Sequence, residues 1–161
     1  MLRVLKTERA GRWPRQKSRG TVTLDYDSRY RRRLKLTSDQ GKDFLLDLPA
    51  ATALGDGDGL ELSDGNWLEV RAAAEALLEV RAQTPELLCR IAWHIGNRHL
   101  AAAIEEDRIL IRDDHVIAEM LAGLGATLRR IHATFSPEGG AYAVQASGRH
   151  DHHDHAHGHD H

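Results

Sequence analysis

Residues 75–100 read EALLEVRAQTPELLCRIAWHIGNRHL, a strand pattern followed directly by a helix pattern. Apolar residues alternate from Leu78 to Ala82, which is the spacing of a strand with one buried face. Thr84 can then cap a helix whose first turn contains Pro85, a favoured position because the missing proline N–H is not needed there. The apolar stripe of this helix consists of Leu87, Leu88, Ile91, Ala92 and Ile95. The stretch therefore predicts a strand joined to an amphipathic helix.

The same alternation of strand and helix patterns continues toward the C-terminus. Gly96-Asn97 predicts the end of the first helix, because both residues tolerate the left-handed conformation found just past helix ends. The elements predicted next are a strand pair over Ala101–Glu106 and Arg108–Arg112, a helix capped by Asp113 or Asp114 and ended by Gly123 and Gly125, and a strand over Leu128–Phe135. The order strand, helix, strand, strand, helix, strand predicts a ferredoxin-like split fold.

The chain before this stretch has the pattern of an all-β domain. Short alternating runs broken by turns follow one another from Thr21 to Val70. Asp64-Gly65 is a hairpin signal, whereas Gly55–Gly59 indicates a turn that lacks the spaced ligands of a calcium loop. We therefore predict an α+β protein with an all-β domain over residues 1–72, a ferredoxin-like βαββαβ domain over residues 73–140 and a disordered His-rich tail over residues 141–161.

Composition limits the location and the chemistry of the protein. No apolar stretch approaches the roughly 20 residues needed to span a bilayer, and the N-terminus lacks the apolar region of a secretory signal, so we expect a cytoplasmic protein without a membrane partner. Cys89 is the only cysteine, which excludes an internal disulfide and a multi-cysteine metal site. We interpret Cys89 as small apolar packing rather than a reactive thiol. Any metal chemistry therefore belongs to histidine.

The last twelve residues, 150–161, read HDHHDHAHGHDH. Neutral imidazole binds nickel, copper and zinc well, whereas carboxylates suit harder ions such as magnesium. The histidines are interleaved with other residues, unlike the uninterrupted run of a purification tag. Without apolar residues the segment cannot fold alone, yet a mobile chain can wrap a metal. The predicted metal ligands of the tail are His150, His152, His153, His155, His157, His159 and His161.

Charge is spread unevenly along the chain. The net charge is −2, but residues 1–35 contain twelve Lys and Arg against three acidic residues. A cluster from Arg29 to Lys35 has three interpretations: a nucleic-acid site, a contact for an acidic protein surface, or a solvated strand face and loop. We expect no nucleic-acid partner, because nothing in the sequence beyond the arginines supports one. No nucleotide-binding or catalytic motif of the Walker A, GxSxG or HExxH type is present, so we predict no enzyme activity.

The segment WHIGNRH, residues 93–99, carries two histidines at the predicted helix end. Two ligands on one helix face require a spacing of four residues, and His94 and His99 are five apart. His99 follows the predicted helix end, however, so its ring need not obey helical spacing; it is either a surface histidine or a ligand. Trp93 lies opposite the apolar stripe, which indicates an exposed side chain, cover by the N-terminal domain, or a subunit contact.

Five segments together resemble the UreE family, the nickel metallochaperones that assist urease assembly. They are WHIGNRH (93–99), DDHVIAEML (113–121), RRRLKLTSDQGKDFLLDLP (31–49), LEVRAAAEALLEVRA (68–82) and the His-rich end. The resemblance implies an N-terminal domain like a chaperone peptide-binding domain, a metal-binding domain and a homodimer. It also implies that His99 of each subunit binds metal at the two-fold axis, completed by tail histidines. His94 and His115 match motif positions as further candidate ligands.

The function implied by this resemblance is delivery of Ni(II), as cargo, to the urease apoprotein. The implied partners are the GTPase UreG and the urease apoprotein complex. Cu(II) and Zn(II) suit the same imidazole ligands, so the residues alone set no strict selectivity. The alternative function is general storage or buffering of Ni, Cu or Zn, in which the tail does all the binding.

Overall fold

The computed structural model describes residues 1–139, which form an N-terminal β domain and a C-terminal α+β domain. The strands are β1 (Leu2–Glu8), β2 (Ser18–Leu24), β3 (Tyr30–Thr37), β4 (Asp43–Ala53), β5 (Gly59–Leu62), β6 (Trp67–Ala72), β7 (Ala74–Arg81), β8 (Ala103–Ile104), β9 (Ile109–Arg112) and β10 (Thr127–Thr134). The helices are α1 (Tyr26–Arg29), α2 (Pro85–Asn97) and α3 (His115–Gly123), with a 3₁₀ turn at Arg15–Lys17. No helix within residues 1–139 is long and apolar enough to cross a membrane.

Six strands of the N-terminal domain form one sheet in the order β2-β6-β5-β1-β4-β3. The predicted hairpin at Asp64-Gly65 is confirmed: it joins the antiparallel strands β5 and β6, and Gly65 has a φ of +85°. Strand β1, which was not predicted, pairs parallel with β4 and antiparallel with β5 near the centre of the sheet. The buried core of this domain consists of Val4, Val22, Leu24, Leu36, Phe44, Leu46, Leu48, Leu54, Leu60, Leu62, Leu68 and Val70.

One predicted strand of the N-terminal domain is interrupted by a helical turn. The alternating run TVTLDYD continues to Asp27, but β2 ends at Leu24 and α1 begins at Tyr26. Asp25 caps this turn, and its Oδ1 accepts a hydrogen bond from the N–H of Ser28 at 2.8 Å. A side-chain cap of this kind offers the backbone a local alternative to strand pairing.

The C-terminal domain has the predicted order strand, helix, strand, strand, helix, strand. Its four strands lie in the order β10-β7-β9-β8, and each neighbouring pair is antiparallel. Both predicted caps are present: Thr84 Oγ1 accepts from Leu87 N at 3.1 Å, and Asp114 Oδ1 accepts from Val116 N at 2.9 Å. Helices α2 and α3 pack on one face of the sheet around Leu78, Val80, Ile91, Ile95, Ile109, Ile111 and Leu121.

The predicted strand over Ala101–Glu106 is too long, because only Ala103 and Ile104 pair with β9. Next to this short strand, the backbone is hydrogen-bonded by a segment near the C-terminal end of the described region. Glu138 N donates to Ala102 O at 2.8 Å, and Glu138 Oε1 accepts from Ile104 N at 3.2 Å. A segment 34 residues distant in sequence therefore covers the sheet edge.

The opposite face of the C-terminal sheet packs against the N-terminal domain. Leu77, Leu110 and Phe135 are buried there, and the rings of Tyr26 and Phe135 meet edge to face at 5.5 Å. Polar contacts join the same elements: Glu75 Oε2 accepts from Tyr26 N at 3.0 Å. The two domains therefore share an apolar contact with polar links at its border.

The basic cluster from Arg29 to Lys35 is largely occupied within the molecule. Arg29 is buried and donates to the carbonyl oxygens of Leu54 and Phe135, which links the domains. Arg31 and Arg32 donate to backbone carbonyls, and Arg33 and Lys35 form ion pairs with strand β4. These contacts favour the interpretation of the cluster as a strand face and loop over a nucleic-acid site.

A buried carboxylate lies beyond the domain contact on the same sheet face. The side chain of Glu79 is only 5% exposed, and three arginines reach it: Arg108 at 2.7 Å, Arg81 at 3.0 Å and Arg129 at 3.2 Å. Hydrogen bonds from Arg108 and Arg81 lower the pKa of Glu79 from its usual 4.5 to about 2. Buried carboxylates require such partners, because an unpaired charge away from water is costly.

Replacing Glu79 by glutamine should make the domain less stable at neutral pH and less sensitive to acid. A carboxylate whose folded pKa is lowered contributes stability above its unfolded pKa of about 4.5, and loses it as the pH falls toward 2. We expect Glu79→Gln to lower the free energy of unfolding by about 2 kcal/mol at pH 7 and by much less near pH 2. Urea denaturation at several pH values measures this difference.

The matched control is Glu86→Gln, because Glu86 pairs with Arg90 on the exposed surface of α2. Exposed pairs of this kind contribute about 0.5 kcal/mol or less, so the control should behave like the unchanged protein. Equal pH dependence of the unfolding free energy in the Glu79 variant and the control would contradict the assigned role of Glu79.

Candidate metal centre

The end of helix α2 positions the central residue of the candidate site. His99 N donates to Gly96 O at 3.0 Å, and Leu100 N donates to Ile95 O at 3.3 Å. These two bonds form a Schellman motif, which satisfies the last carbonyl groups of a helix. Leu100 and Ile95 also pack in the same apolar core, the contact that commonly accompanies this motif. The helix end is therefore fixed by both hydrogen bonds and burial.

His99 occupies the left-handed position of this motif, with a φ of +57°. Glycine usually occupies that position, because an L side chain there costs roughly 1–2 kcal/mol. His99 is the one residue other than glycine with a positive φ among residues 1–139. The imidazole is exposed. The Schellman hydrogen bonds thus hold a histidine out in solvent at a strained position, and such strain often marks a functional residue.

The prediction that α2 ends at Gly96-Asn97 is confirmed, since Asn97 is its last residue, but the left-handed conformation expected there is found at His99 instead. Helix α2 includes both residues, and the chain turns two residues later at His99. The reason lies in Leu100, which packs against the same core as Ile95 and so places the reversal of the chain at His99.

The two side chains before the helix end differ in exposure. Trp93 is 65% exposed, which agrees with the exposed side chain predicted from its place opposite the apolar stripe. His94 is partly buried, and its ring meets the Trp93 ring edge to face at 5.1 Å. His94 therefore lies on the helix among packed neighbours, whereas His99 lies past the helix end.

His115 is the first residue of α3 and is exposed. The cap residue Asp114 directly precedes it and uses Oδ1 for the N–H groups of Val116 and Ile117, at 2.9 and 3.1 Å. His115 is thus available to solvent, but on a different helix from His94.

The described residues do not bring three ligands together. Within residues 1–139 there is no group of three or more His, Cys, Asp or Glu side chains placed to hold one metal ion. The predicted tail ligands from His150 to His161 lie outside the described residues. His94, His99 and His115 therefore do not complete a metal site on their own.

Sequence reasoning missed how the chain approaches this region before the tail. Glu138 is bound to Ala102, three residues beyond His99, and Gly139 lines a cavity of about 300 Å³ together with Gly96 and Leu100. No local sequence pattern predicts such a contact, because the residues that form it are far apart in sequence. The segment that leads into the His-rich end thus starts beside the end of α2.

Cys89 is exposed, so the interpretation of its side chain as small apolar packing is wrong. The residue lies four positions before Trp93, on the side of α2 that faces away from the sheet core.

Comparison with known proteins agrees with the motif at the end of α2. The sequence profile of the UreE urease accessory protein N-terminal domain matches residues 2–73, and that of its C-terminal domain matches residues 75–161. The chain belongs to the UreE family. The predicted resemblance is therefore confirmed, and it covers nearly the whole chain.

Relatives named urease accessory protein UreE match most of this chain. The protein from Chelativorans sp. (strain BNC1) is 57% identical over 141 residues, which cover 88% of this chain and 89% of the relative. The protein from Rhodopseudomonas palustris (strain BisB18) is 50% identical, over 94% of this chain and 72% of the relative. The protein from Ruegeria pomeroyi is 48% identical, over 95% of this chain and 93% of the relative. As a member of the UreE family, this chain is an accessory protein of urease maturation.

The backbone at position 99 should discriminate between substitutions by their tolerance of positive φ. Asparagine adopts the left-handed conformation readily, whereas a β-branched residue does not. We expect His99→Asn to keep the free energy of unfolding within about 0.5 kcal/mol and His99→Val to lower it by about 1–2 kcal/mol. Thermal and urea unfolding of metal-free protein measure both values. Equal stability of the two variants would show that the position is not strained.

Proposed function

We propose that this UreE-family protein is a nickel metallochaperone that delivers Ni(II) to the urease apoprotein during assembly of its active site. It works as a homodimer, with the GTPase UreG and the urease apoprotein complex as partners. The observation that supports this best is the exposed, left-handed His99 at the end of α2, in a chain that ends in seven closely spaced histidines.

The incompleteness of the site within residues 1–139 supports the dimer. Metal sites in proteins usually need about three or four protein ligands, and residues 1–139 of one subunit provide no cluster of three. A two-fold axis near His99 doubles the number of imidazoles without any additional sequence. The exposed Trp93, six residues earlier, offers the large aromatic side chain that subunit contacts favour.

The position at which the tail begins supports the tail histidines as the remaining ligands. Gly139 lies beside Gly96 and Leu100, and eleven further residues reach His150. An extended chain covers about 3.3 Å per residue, or roughly 36 Å over that distance. The histidines from His150 to His161 are thus within reach of His99 in the same subunit or across the axis.

An open site suits delivery better than a closed one. A closed structural site keeps its metal, whereas a site with exchangeable ligands allows a partner to take the ion. His99 and His115 are both exposed, which supports exchange. Copper binds such ligands more strongly than nickel and zinc binds them comparably, so we assign selectivity for Ni(II) over Cu(II) and Zn(II) to metal supply and partner choice.

The proposal includes three properties of the chain as a whole. We assign it no catalytic step and a cytoplasmic location. We place the N-terminal domain at residues 1–72, a ferredoxin-like metal-binding domain at 73–140 and the metal-collecting tail at 141–161. The ferredoxin-like assignment rests on the antiparallel order β10-β7-β9-β8 with both helices on one face.

The proposal predicts two separable classes of nickel binding. Calorimetric titration of the full chain, of a chain ending at Gly148 and of His99→Asn should separate them. The shortened chain should lose most of the bound nickel but keep about one ion per dimer, whereas His99→Asn should keep the bulk uptake and bind that ion at least about tenfold more weakly. Asparagine serves here because it keeps the backbone conformation.

Activation of urease in a nickel-limited host tests delivery. His99→Asn should reduce activation while bulk nickel uptake persists, and His94→Asn, five residues earlier on α2, measures the contribution of the neighbouring imidazole. Full activation by the His99 variant would instead support a general metal store or buffer, the alternative function, in which only the tail matters.

The dimer should depend on Trp93. An aromatic side chain at the centre of an interface commonly contributes about 2 kcal/mol or more to association. Trp93→Ser should therefore shift the mass measured by analytical ultracentrifugation from dimer toward monomer at micromolar concentration. The control is Leu5→Ser, because Leu5 is similarly exposed but lies on β1 of the N-terminal domain. An unchanged dimer in the Trp93 variant would place the subunit contact elsewhere.

A further inference from the structure

A groove between α2 and β8 remains without a partner in the described part of the chain. Two adjoining cavities of about 310 and 300 Å³ share Ala92, Ile104 and Ile109, so they form one continuous groove, called here the α2–β8 groove. Ile104 is 56% exposed in it. An exposed aliphatic side chain along an apolar groove indicates a surface that binds something.

The border of the α2–β8 groove is acidic. Glu105, Glu106 and Asp107 line one end, next to Cys89 on α2. Arg108 pairs with Glu105 and Arg81 pairs with Asp107, whereas Glu106 forms no ion pair with any residue in the range 1–139. The occupant of the groove should therefore combine apolar side chains with a positive charge.

The chain itself enters this groove. Glu138 is hydrogen-bonded to Ala102 and Ile104, and Gly139 lines the cavity next to Ala92. The residues that follow, 140–149, read GAYAVQASGR. Tyr142 and Val144 are spaced two apart, so an extended chain presents both on one side, and Arg149 follows them.

We propose that residues 141–149 bind the α2–β8 groove, with Tyr142 and Val144 against its apolar lining and Arg149 toward Glu106. The inference does not rest on nickel delivery, since it concerns the segment before the histidines. Ten residues from Gly139 to Arg149 extend about 33 Å, more than the roughly 20 Å length of the thirteen-residue α2. A segment tethered at the groove also has an effective concentration in the millimolar range, which favours it over a separate partner.

This arrangement gives the His-rich end a defined starting point. A chain held as far as Arg149 would begin its histidines at the surface of the metal-binding domain rather than ten residues away from it. The tail would then search a smaller volume around α2, which raises the local concentration of imidazole there.

The reactivity of Cys89 measures occupancy of the groove, because it is the only thiol and lies on the groove wall. We compare the rate of thiol alkylation in the full chain, in Tyr142→Ser/Val144→Ser, and in chains ending at Arg149 and at Gly139, all with chelator present. The double variant and the chain ending at Gly139 should react at least about fivefold faster than the full chain. The chain ending at Arg149 should react at the rate of the full chain, because it keeps the segment and lacks only the His-rich residues 150–161.

Ile104→Ser provides an independent test of the contact. It should accelerate alkylation in the full chain but add nothing in the chain ending at Gly139, since both changes remove the same interaction. Equal rates in all chains would overturn the proposal. A rate increase caused entirely by the cut after Arg149 would also overturn it, in favour of the histidines as the cover. A rate in the full chain that falls with protein concentration would assign the groove to a second copy instead.

Discussion

Strand β7 is buried on both faces, and the arrangement of the rest of the molecule depends on this constraint. Leu78 and Val80 face the helices, whereas Leu77 faces the N-terminal domain. A shift of one residue in its pairing would exchange the two sets and place Glu79 among the helix side chains. The register with β9 and β10 on either side prevents that shift. The helices and the N-terminal domain are therefore positioned by the same strand, from opposite faces.

The geometry of His99 follows from this packing. Ile91 and Ile95 fix α2 on the sheet, and Leu100 returns to the same core immediately after His99. The chain must reverse within that short distance, so residue 99 takes the left-handed conformation whatever its side chain. A strained residue persists only where its surroundings over-determine it, and two backbone hydrogen bonds and a partly buried leucine packed on the core do so here. The core thus holds the imidazole at the surface, rather than hydrogen bonds of the imidazole itself.

Local signals in the sequence predicted much of the C-terminal domain, and long-range contacts account for what was missed. The caps at Thr84 and Asp114 and the hairpin at Asp64-Gly65 each depend on a few neighbouring residues, so the sequence pattern is sufficient. The burial of Arg29 against Phe135 joins residues 106 apart, and no periodicity reveals it. The same holds for Glu138 on the edge of β8. For His99, the sequence motif indicated the residue but not its backbone conformation. The left-handed conformation was assigned to Gly96-Asn97 because glycine usually adopts it, whereas the packing of Leu100 that places it at His99 is a tertiary contact.

Glu79 and His99 show how one small domain can combine a fixed, fully paired polar group with one that is free to exchange its ligand. Glu79 is enclosed by three arginines, and breaking any one of those contacts would leave a charge partly unpaired away from water. His99 is exposed, and residues 1–139 offer no cluster of three ligands around it. A group saturated by its own chain contributes to stability and cannot bind anything else. A group left open at a rigid position loses little when a ligand departs, because the packing that holds it does not change. A protein that must bind a metal ion and then release it needs the second kind of site, built on the stability that the first kind provides.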